Sequence, residues 1–114
     1  MNRLTLNLVQ GAVSFSFSPE AAQQLQAQIA ELMQSLKAVA SVSPGSRTRP
    51  TPQKPLEYRH TGEVFLEIFC NPNIYPSPFA AKILITLRDD RIRITSEAEL
   101  TQLIEDLNVY LENI

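Results

Sequence analysis

Cysteine is nearly missing from this chain, and histidine and glycine are almost as scarce. The single thiol, Cys70, cannot close an intrachain disulfide, which favours a reducing compartment. The single histidine, His60, stands ten residues before it, so a closed zinc site lacks its ligands. Three glycines, Gly11, Gly45 and Gly62, lie far apart and cannot form a phosphate-cradling loop. No apolar run approaches the roughly 20 residues of a membrane helix. The opening MNRLTLNLVQG alternates its apolar residues instead of running them together, which argues against a signal peptide. A formal charge of −2 is close to neutral, against nucleic-acid binding driven by phosphate contacts. These absences predict a cytoplasmic protein with no membrane contact and no cofactor. At 114 residues it fits a single domain over 1–114. Such a globule buries roughly 65% of its unfolded surface, enough to fold without a staple.

What is present is clearest in the last third, 82–114. Ile83, Ile85 and Leu87 alternate, Asp89-Asp90 interrupts, and Ile92 and Ile94 resume, the pattern of a tight hairpin. Asp suits the left-handed backbone of such a turn. Ser96 and Glu99 stand at the spacing of a capping box for a following helix. Leu100, Leu103, Ile104, Leu107, Tyr110, Leu111 and Ile114 then make one apolar stripe.

A similar unit opens the chain. Leu4, Leu6 and Leu8, a Gln10-Gly11 turn, then Val13, Phe15 and Phe17 read as a hairpin with one wet side. Ser18-Pro19-Glu20 supplies an N-cap, a first-turn proline and an acid at the positive helix end. Ala22, Leu25, Ile29, Leu32, Met33 and Leu36 give a long helix ending near 37–40. A shift of 78 lays Ser18 on Ser96, Leu25 on Leu103 and Ile29 on Leu107, while the strands match better at 77. Duplication and two ordinary hairpin-helix units both produce such a match.

Between the units the texture changes. Residues 41–57 hold Pro44, Pro50, Pro52 and Pro55 with several Ser, Thr and basic residues, which predicts an internal flexible linker. A polyproline-like docking segment for an acidic partner is the sharper alternative. Residues 62–70, GEVFLEIFC, form the most strand-like run, with Val64, Leu66, Ile68 and Cys70 on the core face. Glu63, Phe65, Glu67 and Phe69 share the other face. Pro72, Pro76 and Pro78 then stiffen a loop carrying Tyr75 and Phe79.

A search for chemistry finds little. His60 reads as a solvent-facing residue, and Cys70 as an inert buried thiol lacking a base and an electropositive setting. Glu97, Glu99, Glu105, Asp106 and Glu112 read as a solvated acidic helix face without a calcium-loop pattern. No catalytic and no metal-binding residues are assigned, and the chain is read as a non-enzyme. Arg88, Arg91 and Arg93, together with Phe65 and Phe69, allow a small RNA-binding module using the arginine-bearing hairpin. Glu63 and Glu67 beside the phenylalanines weigh against it.

The Gln-rich first helix, the Pro/Ser linker and the closing ITSEAELTQLIEDLNVYLENI resemble small cyanobacterial proteins without enzymatic motifs. In size, layout and texture the chain is similar to the small carboxysome assembly factor that contacts a shell protein. That resemblance implies an assembly adaptor and transfers no individual residue.

The expected fold is α+β, a two-layer sandwich ordered β-β-α-linker-β-β-β-α. About five mainly antiparallel strands carry two helices on one face. The expected function is non-catalytic protein-protein interaction with a protein or peptide partner, a homodimer being one option. The expected contact residues are Phe65, Phe69, Tyr75, Phe79, Arg91 and Arg93.

Overall fold

Six strands and two helices make up the α+β fold of the computed structural model, which describes residues 2–41 and 51–114. In chain order these are β1 (Arg3–Leu8), β2 (Gly11–Ser16), α1 (Pro19–Ala40), β3 (Leu56–Thr61), β4 (Phe65–Cys70), β5 (Lys82–Arg88), β6 (Arg93–Glu99) and α2 (Leu100–Glu112). Two single 3-10 turns, Pro72–Ile74 and Pro78–Ala80, lie between β4 and β5. No described helix is long and apolar enough to cross a membrane.

The first hairpin forms as its alternation predicts. Leu4, Leu6, Phe15 and Phe17 are buried, while Thr5 and Ser14 share a 2.6 Å hydroxyl contact on the wet side. Leu8 pairs with Gly11, so Val9 and Gln10 make the turn, and Gly11 takes a φ of +147° that side chains disfavour. Ser18 then caps α1: its hydroxyl accepts from the Ala21 amide at 3.1 Å, with Pro19 in the first turn. Ala21, Ala22, Leu25, Ile29, Leu32 and Leu36 are its buried stripe.

The single five-stranded sheet expected from the pattern is instead two sheets. β3-β4-β5-β6 form an antiparallel four-stranded sheet, and β1-β2 stand as a separate pair. One amide bridges them, from Val9 to the Glu97 carbonyl at 3.1 Å. The extra strand is β3. Leu56 and Glu57, expected in the linker, open it, with Leu56 and Tyr58 buried in alternation with exposed Glu57 and Arg59. Just before it, Asn73 brackets Gln53, accepting from its amide at 2.7 Å and donating to its carbonyl at 2.8 Å. Of the expected linker, residues 42–50 lie outside the described residues.

β4 starts at Phe65, not Gly62, because residues 62–64 turn the chain between β3 and β4. A Cβ on Gly62 would sit 3.0 Å from the His60 ring, so a side chain there would push that ring aside by a few tenths of an ångström. His60 is not simply solvent-facing. It is half-buried, with its ring centroid 5.2 Å from that of Phe17 in an edge-to-face contact. The Asp89 turn uses no left-handed residue, since no described non-glycine residue has positive φ. Its carboxylate instead accepts from the Arg91 and Ile92 amides at 2.8 and 2.9 Å. Those amide bonds, Ile92 first, hold the Asp89 carboxyl below its usual range.

The capping box at Ser96 does not form. β6 stays paired to β5 through Glu99, which lies opposite Lys82, and the ladder holds Ser96 extended across from Ile85. Leu100 still donates to the Ala81 carbonyl at 3.0 Å, so α2 begins where pairing stops, and Glu99 caps it without a side-chain bond.

Both helices lie on the sheet face that carries Leu66, Ile68, Ile83 and Ile85, and these residues share one buried cluster with the helix stripes and the first hairpin. Tyr58 ties β3 to α1 through the Ala21 carbonyl at 3.3 Å. α2 grips the first hairpin through a row spaced one turn apart. Asp106 is buried rather than part of a solvated acidic face. It accepts from the Asn7 backbone and side-chain amides, both at 2.8 Å, and from Gln102 at 2.9 Å. One turn on, the Tyr110 hydroxyl donates to the Phe17 carbonyl.

This grip predicts a specific loss. Asp106→Ala leaves the Asn7 amide without its charged acceptor and should cost about 2–3 kcal/mol in urea unfolding. Asp106→Asn keeps one acceptor and should cost less. An unchanged midpoint in Asp106→Ala would mean that apolar packing alone holds the hairpin.

Candidate functional site: the uncovered face of the sheet

Because both helices and the hairpin cover one face of β3-β4-β5-β6, the opposite face is left open. Strand register orders that face into rows running across all four strands. The first row is Thr61, Phe65, Arg88 and Arg93. The second is Arg59, Glu67, Thr86 and Thr95, and the third is Glu57, Phe69, Leu84 and Glu97.

Each row has its own chemistry. In the first, the Arg88 guanidinium lies 4.4 Å from the centre of the Phe65 ring, a cation–π contact. Arg93 stands directly opposite Arg88, so two positive charges adjoin. In the second, Arg59 Nε donates to Glu67 Oε2 at 2.7 Å, which holds the guanidinium above its ordinary pKa. It is the one ion pair among the described residues. Thr86 and Thr95 make a low centre, with Thr86 buried by its neighbours although no layer covers it. In the third, Phe69 and Leu84 are 37% and 42% exposed, bracketed by Glu57 and Glu97. The face is thus positive along one rim and apolar with acidic ends along the other.

Beyond the third row a shallow depression of about 210 Å³ opens between Phe69, Leu84, Ile74, Tyr75 and Lys82. Asn71 shapes its wall by accepting from the Asn73 amide at 3.0 Å, which starts the first 3-10 turn. Tyr75 packs half-buried against the core, and burial pushes its phenol up.

The six residues expected to meet a partner therefore separate. Phe65 and Arg93 share the first row. Phe69 and Tyr75 share the depression. Phe79 is 85% exposed, but its 3-10 turn packs against α1 and α2, away from the open face. Arg91 sits at the hairpin tip. Arg88 stands on the face beside them, and Leu84 and Ile74 belong to its apolar part. Leu84 was visible in KILITLR as an apolar residue in the polar phase of the alternation. Nothing in the sequence marks Ile74 apart from its neighbouring prolines.

Among the described residues, no three His, Cys, Asp or Glu side chains gather as metal ligands. Cys70 is buried, and burial pushes its thiol up to about 11. That shift carries a pH signature. The folded state holds the neutral thiol, so its contribution is complete below pH 9 and is lost as pH rises toward 11. Stability should fall by about 1.4 kcal/mol per pH unit across that window. Urea titrations at stepped pH should show the slope, and Cys70→Ala should remove it between pH 9 and 10, below the range where Tyr58, whose phenol burial pushes up to about 12, adds a slope of its own.

Comparison with protein families, with curated proteins and with solved structures finds no match to this chain.

Proposed function

We propose that this protein is a non-catalytic interaction module that docks a protein partner on the uncovered face of its four-stranded sheet. The supporting observation is the third row, where Phe69 and Leu84 stand exposed side by side on a rigid, fully paired sheet. Apolar groups fixed in this way lose little entropy on contact, and such groups serve as interface anchors. Glu57 and Glu97 at the ends of the row supply a polar rim. An adaptor role in assembly, the form implied by the likeness to the carboxysome assembly factor, fits a face of this kind.

A second reading, a small RNA-binding module, draws on Arg88 over Phe65 and on neighbouring Arg93. Arg59 does not add to it, being paired to Glu67, and Glu57 and Glu97 repel phosphate from the rest of the face. Steeply salt-dependent retention on a polynucleotide column, lost in Arg88→Ala/Arg93→Ala, would favour this reading.

For the first reading, Phe69→Ser/Leu84→Ser should keep the thermal midpoint within a few degrees. It should weaken capture of a defined partner from the native host by about 30-fold or more. Unaltered capture by that variant would place docking elsewhere.

A further inference from the structure

The geometry points to a second copy of this chain as the partner, stacked face to face on the uncovered sheet about a two-fold axis along the middle row. This rests on the docking face proposed above and names what occupies it.

A two-fold axis through Arg59, Glu67, Thr86 and Thr95 exchanges the first row with the third while keeping each strand over its own copy. Arg93 of one chain then faces Glu97 of the other, and Phe65 faces Phe69, each contact occurring twice. Arg88, stacked on Phe65, comes over Leu84. Like charges meet only at the centre, where Arg59 and Glu67 already neutralise each other at 2.7 Å.

The chain's own charges favour this arrangement. Arg88 and Arg93 face each other directly across β5 and β6, a destabilising placement unless an anion answers them. Among the described residues neither Arg93 nor Glu97 has an ion-pair partner. They sit four residues apart on one strand, about 13 Å, too far to reach each other. The other axis, along the strands, would set Glu57 against Glu97 and leave Arg93 over Thr61. Opposed rims therefore select one orientation. The centre permits close approach, since Thr86 and Thr95 are short and Thr86 is already buried among its neighbours. Two aligned sheets pack at about 10 Å.

The size of the face sets the strength. Four strands about 4.8 Å apart and six or seven residues long give a patch about 20 Å on a side. At about 400 Å² per copy, about 800 Å² in all, this is below the standard specific interface and in the range of transient ones, so the dimer should be weak and reversible.

Sedimentation equilibrium of the full chain, from about 10 µM to about 1 mM, tests this. The expected result is reversible conversion from 12.8 kDa to twice that mass, weakened by salt. Arg93→Glu and Glu97→Arg should each lower the association constant about tenfold, and the combined charge swap should restore it. A monomer at every concentration overturns the pairing, as does a dimer that ignores the single variants or that the swap does not rescue. Partner capture by Phe69→Ser/Leu84→Ser stays informative in that event. If capture is lost while the wild type is monomeric, the docking face stands and the second copy is removed. If capture is unchanged as well, both readings fall.

Discussion

A helix that holds a strand edge by a buried carboxylate is the constraint on which this architecture depends. β1 and β2 form only a two-stranded sheet, and an isolated hairpin is marginal in water. Gln102, Asp106 and Tyr110, at successive turns of α2, form a polar line beside an otherwise apolar stripe. Asp106 takes the amides of Asn7, and Tyr110 takes the carbonyl that follows β2. The carboxylate is tolerable inside because three donors answer it. Once the hairpin is fixed against α2, its apolar side closes over the helices, and the whole core gathers on one side of the larger sheet.

That one-sidedness explains why the open face is built as it is. No layer covers it, so its strands carry charge and hydroxyls on most outward positions. Phe65, Phe69 and Leu84 are the exceptions. Phe65 is sheltered by Arg88, whereas Phe69 and Leu84 adjoin, with Glu57 and Glu97 at the ends of their row and Lys82 beyond it. Exposed single apolar residues are ordinary, but a paired set in the middle of a sheet invites a cover.

Much of this could be read from the residues, and the losses have physical causes. Periodicity found both helices because the stripes at Leu25, Ile29 and Leu32 and at Leu103 and Leu107 are strong and long. Ser18 was identifiable as a cap because a proline follows it. Ser96 misled because the same spacing occurs in a strand, and ladder pairing to β5 outweighed a local cap. β3 was hidden by its neighbours, since a six-residue alternation of Leu56, Tyr58 and His60 with charged residues follows directly on a proline-rich tract. The resemblance between the two hairpin-helix units holds for the buried pairs Leu25/Leu103 and Ile29/Leu107 and fails at the helix start and in the strands. Phe15 and Phe17 are buried where Ile92 and Ile94 are exposed. For the candidate face, Phe65 and Phe69 were visible as apolar residues out of phase. Register across four strands was not, and only register sets Arg93 beside Arg88 and Glu97 beside Leu84. Asp106 looked like any helical acid, since its partner lies about a hundred residues earlier in the chain.

The direct passage of β6 into α2 has a mechanical consequence. No loop residue separates Glu99, paired to Lys82, from Leu100, whose amide still reaches the Ala81 carbonyl. The first turn of the helix therefore cannot open without tearing the end of the ladder, and the ladder cannot peel without unwinding the helix. Opening of the two is one cooperative event, so their amides should share a single protection level. A load placed on the edge strand would be felt at the grip on the first hairpin, with no slack in between.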